Sequence, residues 1–257
     1  MPTDPAATSE RRADLERRLG AVRARITAAS REAGRDRVPE LIVVTKFFPD
    51  ADVRLLQELG VRDVGENRDQ EAASKATELA DLDLAWHFIG QLQGNKAKSV
   101  VRYATALHSL DRSSLVTALG KATTRENQGR EDAGLPRRAA LTTLVQVDLR
   151  DDAQREAADP GVGRGGALPA DVLQLADLVA ETEGLELGGV MAVAPLGAPP
   201  ASAFERLASI AADVREAHPG ANWISAGMSH DLEQAIAAGA THLRVGSDVL
   251  GPRPPVL

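Results

Sequence analysis

The sequence predicts a single (β/α)8 (TIM) barrel with one extra amino-terminal helix. Three observations predict it. Apolar, largely β-branched runs alternate with helical patterns about eight times in 257 residues, the rhythm and length of that fold. The runs are mostly continuous, as expected of parallel strands buried on both faces. Polar, small and charged residues gather where the runs end, and in a barrel those ends open on one face. A doubly wound open sheet shares the alternation and is the competing architecture.

The first helix is read over Ser9–Ala33. Leu15, Leu19, Val22, Ile26 and Ala29 recur at spacings of four and three, and Gly34 stops the pattern. Strand–helix units follow. Leu41–Lys46 leads to a helix over Asp50–Leu59, Val61–Asn67 to Asp69–Leu79, and Leu84–Gly90 to Asn95–Tyr103. Ala106–Leu110 leads to Ser113–Arg125, and Leu141–Leu149, after a long loop, to Pro169–Glu183. Leu185–Ala194 leads to Pro200–Ala217, Trp223–Met228 to Asp231–Ala238, and Thr241–Val249 closes the series. Asn127–Arg138 and Arg150–Leu168 read as surface loops. No linker divides the chain, so residues 1–257 form one domain with a core over about 12–253.

Hydrophobic residues make up 43% of the chain, enough for a sizeable core. A net charge of −7 argues against a nucleic-acid binder that works by bulk charge. There is no cysteine, which excludes thiolate catalysis and disulfides and fits a reducing compartment. Met1–Glu10 has no apolar signal region, and no run approaches a membrane span. A soluble cytoplasmic protein without a membrane partner is expected.

The strand ends carry the chemistry. Lys46 follows Leu41-Ile42-Val43-Val44-Thr45, so its amine is either set up for reaction or escaping to solvent. Ser225-Ala226-Gly227-Met228-Ser229 and Gly246-Ser247 follow the last two strands, the usual phosphate position of this fold. Glycine lets backbone N–H groups approach an anion and a hydroxyl adds a donor, although ordinary turn chemistry uses the same residues. An amine facing a phosphate cradle suggests pyridoxal 5′-phosphate (PLP), whose aldehyde forms a Schiff base with lysine. Arg244 lies two residues before Gly246 and shares its strand face. It would meet either an acidic side chain or the pyridine nitrogen, which it would leave unprotonated.

On these residues the chain resembles the pyridoxal phosphate homeostasis protein family, single barrels similar to the amino-terminal domain of alanine racemases (fold-type III PLP proteins). The match is carried by Val43-Val44-Thr45-Lys46, Gly65-Glu66-Asn67 with Gln70-Glu71, and Trp86-His87-Phe88-Ile89-Gly90-Gln91-Leu92-Gln93-Gly94-Asn95-Lys96. It continues through His108-Ser109-Leu110-Asp111, Gly189-Val190-Met191, Ser225 to Asp231, Arg244-Val245-Gly246-Ser247 and Gly251. The resemblance implies PLP on Lys46, with phosphate contacts from Ser225, Gly227, Met228, Gly246 and Ser247. It implies Arg244 at the pyridine nitrogen, Asn67 along the ring, and His87 and Met191 around the pocket. It also implies a carrier or regulator of the vitamin B6 pool, with PLP-dependent apoenzymes as recipients and no established catalysis. Departures are Arg68 in place of an aromatic, Ala226 in place of methionine, and Gly161–Gly166 where the family has a Lys-Ser-Gly segment.

Other signals are weaker. Gly161–Gly166 spells G-x-G-x-x-G, yet it neither leaves a strand directly nor opens a helix. The five histidines show no paired metal-ligand spacing. Glu66 and Asp111 are read as supporting carboxylates. Lys96, Lys98 and Arg102 are read as a solvated basic face. The alternative function is a one-domain PLP-dependent amino-acid racemase. Two-base racemization needs a second acid–base group, which alanine racemases take as a tyrosine from a partner subunit's β domain. The only tyrosine here is Tyr103. A carrier, acting as a monomer without a metal, is therefore the favoured expectation.

Overall fold

The computed structural model describes residues 5–156, 165–195 and 197–252. Helix α1 (Pro5–Glu32) precedes β1 (Glu40–Val44), α2 (Asp50–Glu58), β2 (Asp63–Glu66), α3 (Asp69–Glu78) and β3 (Ala85–Phe88). Then come α4 (Ala97–Val100), β4 (Ala106–Leu110), α5 (Ser113–Asp132), β5 (Leu141–Gln146), α6 (Asp152–Glu156) and α7 (Val172–Ala180). The chain finishes with β6 (Leu185–Met191), α8 (Pro200–Ala217), β7 (Trp223–Ser225), α9 (Leu232–Ala237), β8 (His242–Val245) and α10 (Ser247–Leu250).

The strands follow chain order around a closed barrel. Closure decides against the open sheet: β8 pairs in parallel with β1, with Ile42 opposite Arg244 and Val43 opposite Val245. Residues from the start and the end of the chain therefore meet.

Most strands end earlier than their apolar runs. β1 stops at Val44, β2 at Glu66, β7 at Ser225 and β8 at Val245. Past these ends Thr45 and Ala226 stay buried, but Lys46 and Asn67 are half-buried and Met228 is exposed, and residues 247–249 of the run read as the last strand belong to helix α10. Lys46, Asn67, Gly227, Met228 and Gly246 consequently lie in loops. The helix read over Asn95–Tyr103 shrinks to a 3-10 turn, Gly94–Lys96, and the single turn α4. Conversely, α5 runs to Asp132, because Asn127 is buried on it and its Oδ1 accepts from Arg138 N–H at 2.9 Å. Part of the loop read there is thus helix.

The main apolar cluster lies between the strands and the outer helices. The apolar stripe of α1 belongs to it: Leu15, Leu19, Val22 and Ile26 are each at most 2% exposed. Burying such side chains contributes about 2 kcal/mol each. The helix packs on α2, α9 and α10, across the ring's seam. Arg11 meets Asp52 at 2.7 Å, and Arg25 meets Asp248 and Glu233 at 2.8 Å each. Arg25 also donates to the Ser229 carbonyl at 3.1 Å, tying α1 to the loop after β7.

Candidate cofactor site

Lys46 is half-buried in the turn after β1. The next residue, Phe47, has φ +71°, a left-handed conformation that is strained for a bulky side chain. A polar clamp holds the turn there. Phe47 N–H donates to Glu71 Oε1 at 2.6 Å. Lys75 Nζ donates to Glu71 Oε1 and Glu66 Oε1, both at 2.8 Å, and to the Thr45 carbonyl at 2.9 Å. Thr45 Oγ1 donates to Glu66 Oε1 at 2.7 Å. Burial raises the Glu66 carboxyl above its ordinary pKa, and the Lys75 charge works against that rise. Glu71 and Lys75 lie four apart on α3, where i,i+4 neighbours meet. That spacing was the available signal for a clamp that the sequence reading missed.

A cavity of about 240 Å³ opens beside this turn. Its wall includes Lys46, Met228, Ser229, Arg244, Gly246 and Ser247. The β1–β8 register brings them together, and a Cβ on Gly246 would stand 3.2 Å from the Val44 carbonyl oxygen. Ser229, in the cradle segment read from sequence though not among the phosphate contacts that the resemblance implies, places its Oγ 3.4 Å from Ser247 Oγ. Arg244 is 4% exposed; Nη1 donates to Ser225 Oγ at 2.6 Å and Nη2 to the Ala192 carbonyl at 2.8 Å. Burial lowers its pKa to about 10, so the guanidinium remains charged at neutral pH.

Asn67, Ser225, Gly227, His87 and Met191, expected at the site from sequence, do not line this wall. Asn67 follows β2, and its Oδ1 is buried without a hydrogen-bond partner. Its backbone crosses so close to Gly90 that a Cβ there would meet the Asn67 carbonyl oxygen at 2.2 Å. Gly227, at φ +90°, packs under the loop, where a Cβ would lie 2.7 Å from Ala235 Cβ. Met228 N–H is taken by Asp231 Oδ1 at 2.6 Å. Ser225 is fully buried beneath the cavity. His87 and Met191 are at most 3% exposed; His87 points into the barrel lumen, bonded to His108 and Asp63 at 2.9 Å each.

Residues 18–254 match the family model described as alanine racemase, N-terminal domain. Over 264 aligned residues the chain is 42% identical to the pyridoxal phosphate homeostasis protein of Mycobacterium bovis, with 98% of each covered. The chain belongs to the pyridoxal phosphate homeostasis protein family. The Escherichia coli homeostasis protein is 32% identical over 249 residues, covering 93% of this chain and 97% of that one. PipY of Synechococcus elongatus, solved with PLP bound, matches with a TM-score of 0.74 at 30% identity, covering 92% of this chain and 100% of PipY. Alanine racemase from Streptomyces coelicolor shares the fold, with a TM-score of 0.70 at 16% identity over 93% of this chain and 58% of the racemase.

This homeostasis-family barrel has its own local substitutions. Arg68 places its guanidinium 5.1 Å from the centre of the Phe47 ring, and so covers that ring from the loop after β2. Gly161–Arg164 lie outside the described residues. Past Gly165 and Gly166 the chain returns along the end of β5, where Ala167 bridges Val147, and opens no helix directly. Asp111 pairs with Arg112, while Glu66 is taken up by Lys75, so the two carboxylates have separate partners. Lys96 faces Asp69 at 3.8 Å and Arg102 faces Glu126 at 3.2 Å, consistent with a solvated ion-pair surface. Among the described residues no helix is long and apolar enough to cross a membrane.

Proposed function

We propose that this chain holds PLP in the cavity beside Lys46, bound covalently through that lysine, and thereby buffers PLP and passes it to PLP-dependent apoenzymes. The observation that carries this reading is the shared wall: the Lys46 amine, the Arg244 guanidinium and the Ser229–Ser247 hydroxyl pair line one cavity.

The residues suit the cofactor. The wall offers an amine, a cation and hydroxyl donors, which match an aldehyde and an anion. The bound cofactor would supply an electrophilic aldehyde and a conjugated pyridine ring. Lys46 would supply the nucleophilic nitrogen. Arg244 would present N–H donors to the ring nitrogen and keep it an acceptor. Ser229, Gly246 and Ser247 would take the phosphate, with Met228 over the mouth. Ser225 and Gly227 would support that loop from beneath, with His87 and Met191 buried behind the wall. The Asn67 amide would turn towards the ring, where its unpartnered atom finds a use.

The racemase alternative draws no support from Tyr103. Its hydroxyl points to Asp69 Oδ1 at 3.4 Å, burial pushes its pKa up and so keeps it protonated, and it is absent from the cavity wall.

The test compares wild type with Lys46→Ala. Wild type should acquire the visible band of bound PLP, yield a Lys46-linked adduct after borohydride, and restore activity to a PLP-dependent apoenzyme. The variant should do none of these. A band and an adduct that persist in Lys46→Ala would remove the lysine from its assigned role.

A further inference from the structure

A chain of buried hydrogen bonds leaves Arg244 and crosses the barrel lumen. Arg244 Nη1 donates to Ser225 Oγ at 2.6 Å. Ser225 Oγ lies 2.9 Å from His108 Nδ1, and His108 Nε2 lies 2.9 Å from His87 Nδ1. His87 Nε2 lies 2.9 Å from Asp63 Oδ1. Strands β8, β7, β4, β3 and β2 contribute one residue each. Apart from Asp63, every member is at most 4% exposed.

With one hydrogen per link, the two ends set the direction. A guanidinium only donates, so Ser225 Oγ accepts from Arg244 and its own hydrogen is left for His108 Nδ1. An ionised carboxylate only accepts, so His87 Nε2 carries a hydrogen towards Asp63. The remaining contact is then His108 Nε2–H donating to His87 Nδ1. In this arrangement each link holds one hydrogen, and all donors point away from the cavity. Burial, reinforced by the neighbouring His87 and Arg244, drives the His108 pKa well below its ordinary value, in keeping with a single proton. The charged or titratable groups facing the two imidazoles are Asp63 from β2 and His242 and Arg244 from β8; Trp223 of β7 stacks on His242 at 3.9 Å.

We propose that His108 and His87 are positioning residues for the cofactor site: by holding the Ser225 hydroxyl hydrogen they keep its lone pairs on Arg244, aim the guanidinium at the cavity, and link it to Asp63 at the opposite mouth of the barrel. This rests on the PLP reading above, because the two histidines act through Arg244. Asp63 is the accessible end. Its side chain is 32% exposed and lines a separate cavity of about 390 Å³ beside Glu40 and Arg62. A change there therefore alters the cofactor's surroundings without touching the cofactor cavity.

Two measurements test the proposal. The first uses cofactor-free protein with ¹⁵N-labelled histidine. His108 and His87 should both show Nε2–H with a bare Nδ1 at neutral pH; an Nδ1–H tautomer or a doubly protonated ring at either position overturns the wire. The second is PLP titration of wild type, His108→Asn, His108→Leu and Asp63→Asn. His108→Leu should bind about tenfold more weakly while still linking PLP to Lys46. His108→Asn, whose Oδ1 can still accept from Ser225, should recover most of the affinity. In Asp63→Asn the pH at which the bound PLP band titrates should move lower, because a negative charge at the wire's end is lost. Equal affinities for the Asn and Leu variants, or an Asp63→Asn profile that overlays wild type, would overturn the positioning role. Should His108→Leu fail to fold by circular dichroism, the Asp63→Asn profile decides. If wild type takes up no PLP, the proposed function and the positioning role fall together, whereas the tautomers still decide the wire.

Discussion

Lys75 Nζ donates to the carbonyl oxygen of Thr45 at 2.9 Å, one residue before the lysine assigned to the cofactor. The same ammonium separates Glu66 from Glu71. Replacing it, as in Lys75→Met, leaves carboxylates buried without their cation and should cost about 4 kcal/mol in urea unfolding. Because burial raises the Glu66 pKa, its ionised form is less favoured in the fold than in the unfolded chain. Its contribution therefore declines as pH rises from the ordinary carboxylate range through the folded value. The stability difference between wild type and Glu66→Gln should fall with increasing pH; a difference that rises with pH would contradict this assignment.

Acid should unfold the protein earlier than carboxylate titration alone would suggest. Burial lowers His242 to about 4 and holds His108 well below its ordinary value. The unfolded chain protonates both rings near pH 6.5, whereas the folded chain leaves them neutral. Stability is thus level above that pH and declines as pH falls through the window down to about 4. The expected slope is about 2.7 kcal/mol per pH unit once both rings are protonated in the unfolded state. Urea midpoints between pH 7.5 and 5 (roughly spanning the unfolded pKa) measure it, and His242→Phe should reduce the slope by about half.

Gly90→Ala should damage both fold and site. Its Cβ would overlap the Asn67 backbone, which cannot swing aside as a side-chain tip does. A loss of about 3 kcal/mol is expected, together with weaker PLP binding because Asn67 moves. Thermal unfolding and a PLP titration read the two effects separately.

Arg25→Ala should separate stability from binding. Its ion pairs are partly exposed, so their loss should cost under about 1 kcal/mol. The same arginine holds the Ser229 carbonyl, and the loosened loop should weaken PLP binding about fivefold. A fall in unfolding midpoint with PLP affinity unchanged would show that α1 supports the barrel without shaping the cradle.

Topology made the proposed site legible in the sequence. Lys46 and Arg244 are nearly 200 residues apart, yet a barrel's last strand must pair with its first, which brings their strand ends together. The supporting shell was harder to read. The i,i+4 spacing of Glu71 and Lys75 marks a helical pair, but not that Lys75 reaches inward to Thr45. His108 and Ser225 were visible as residues, but their contact spans the lumen between β4 and β7. Strand ends were overestimated for a related reason: residue type does not record where ladder hydrogen bonding stops, and buried Val249 continues the apolar pattern of β8 although it belongs to α10.

The docking of α1 bears on the order of assembly. Its partners include α9, α10 and the loop after β7, all beyond residue 225. During synthesis this helix emerges before every strand; α2 can meet it early, but the cover from α9 and α10 must wait for nearly the last of the barrel. Until then the seam stays open and the Ser229 loop lacks its tether. The cradle is consequently among the last parts of the molecule to be completed, so a nascent or truncated chain would present Lys46 before it could retain a phosphate.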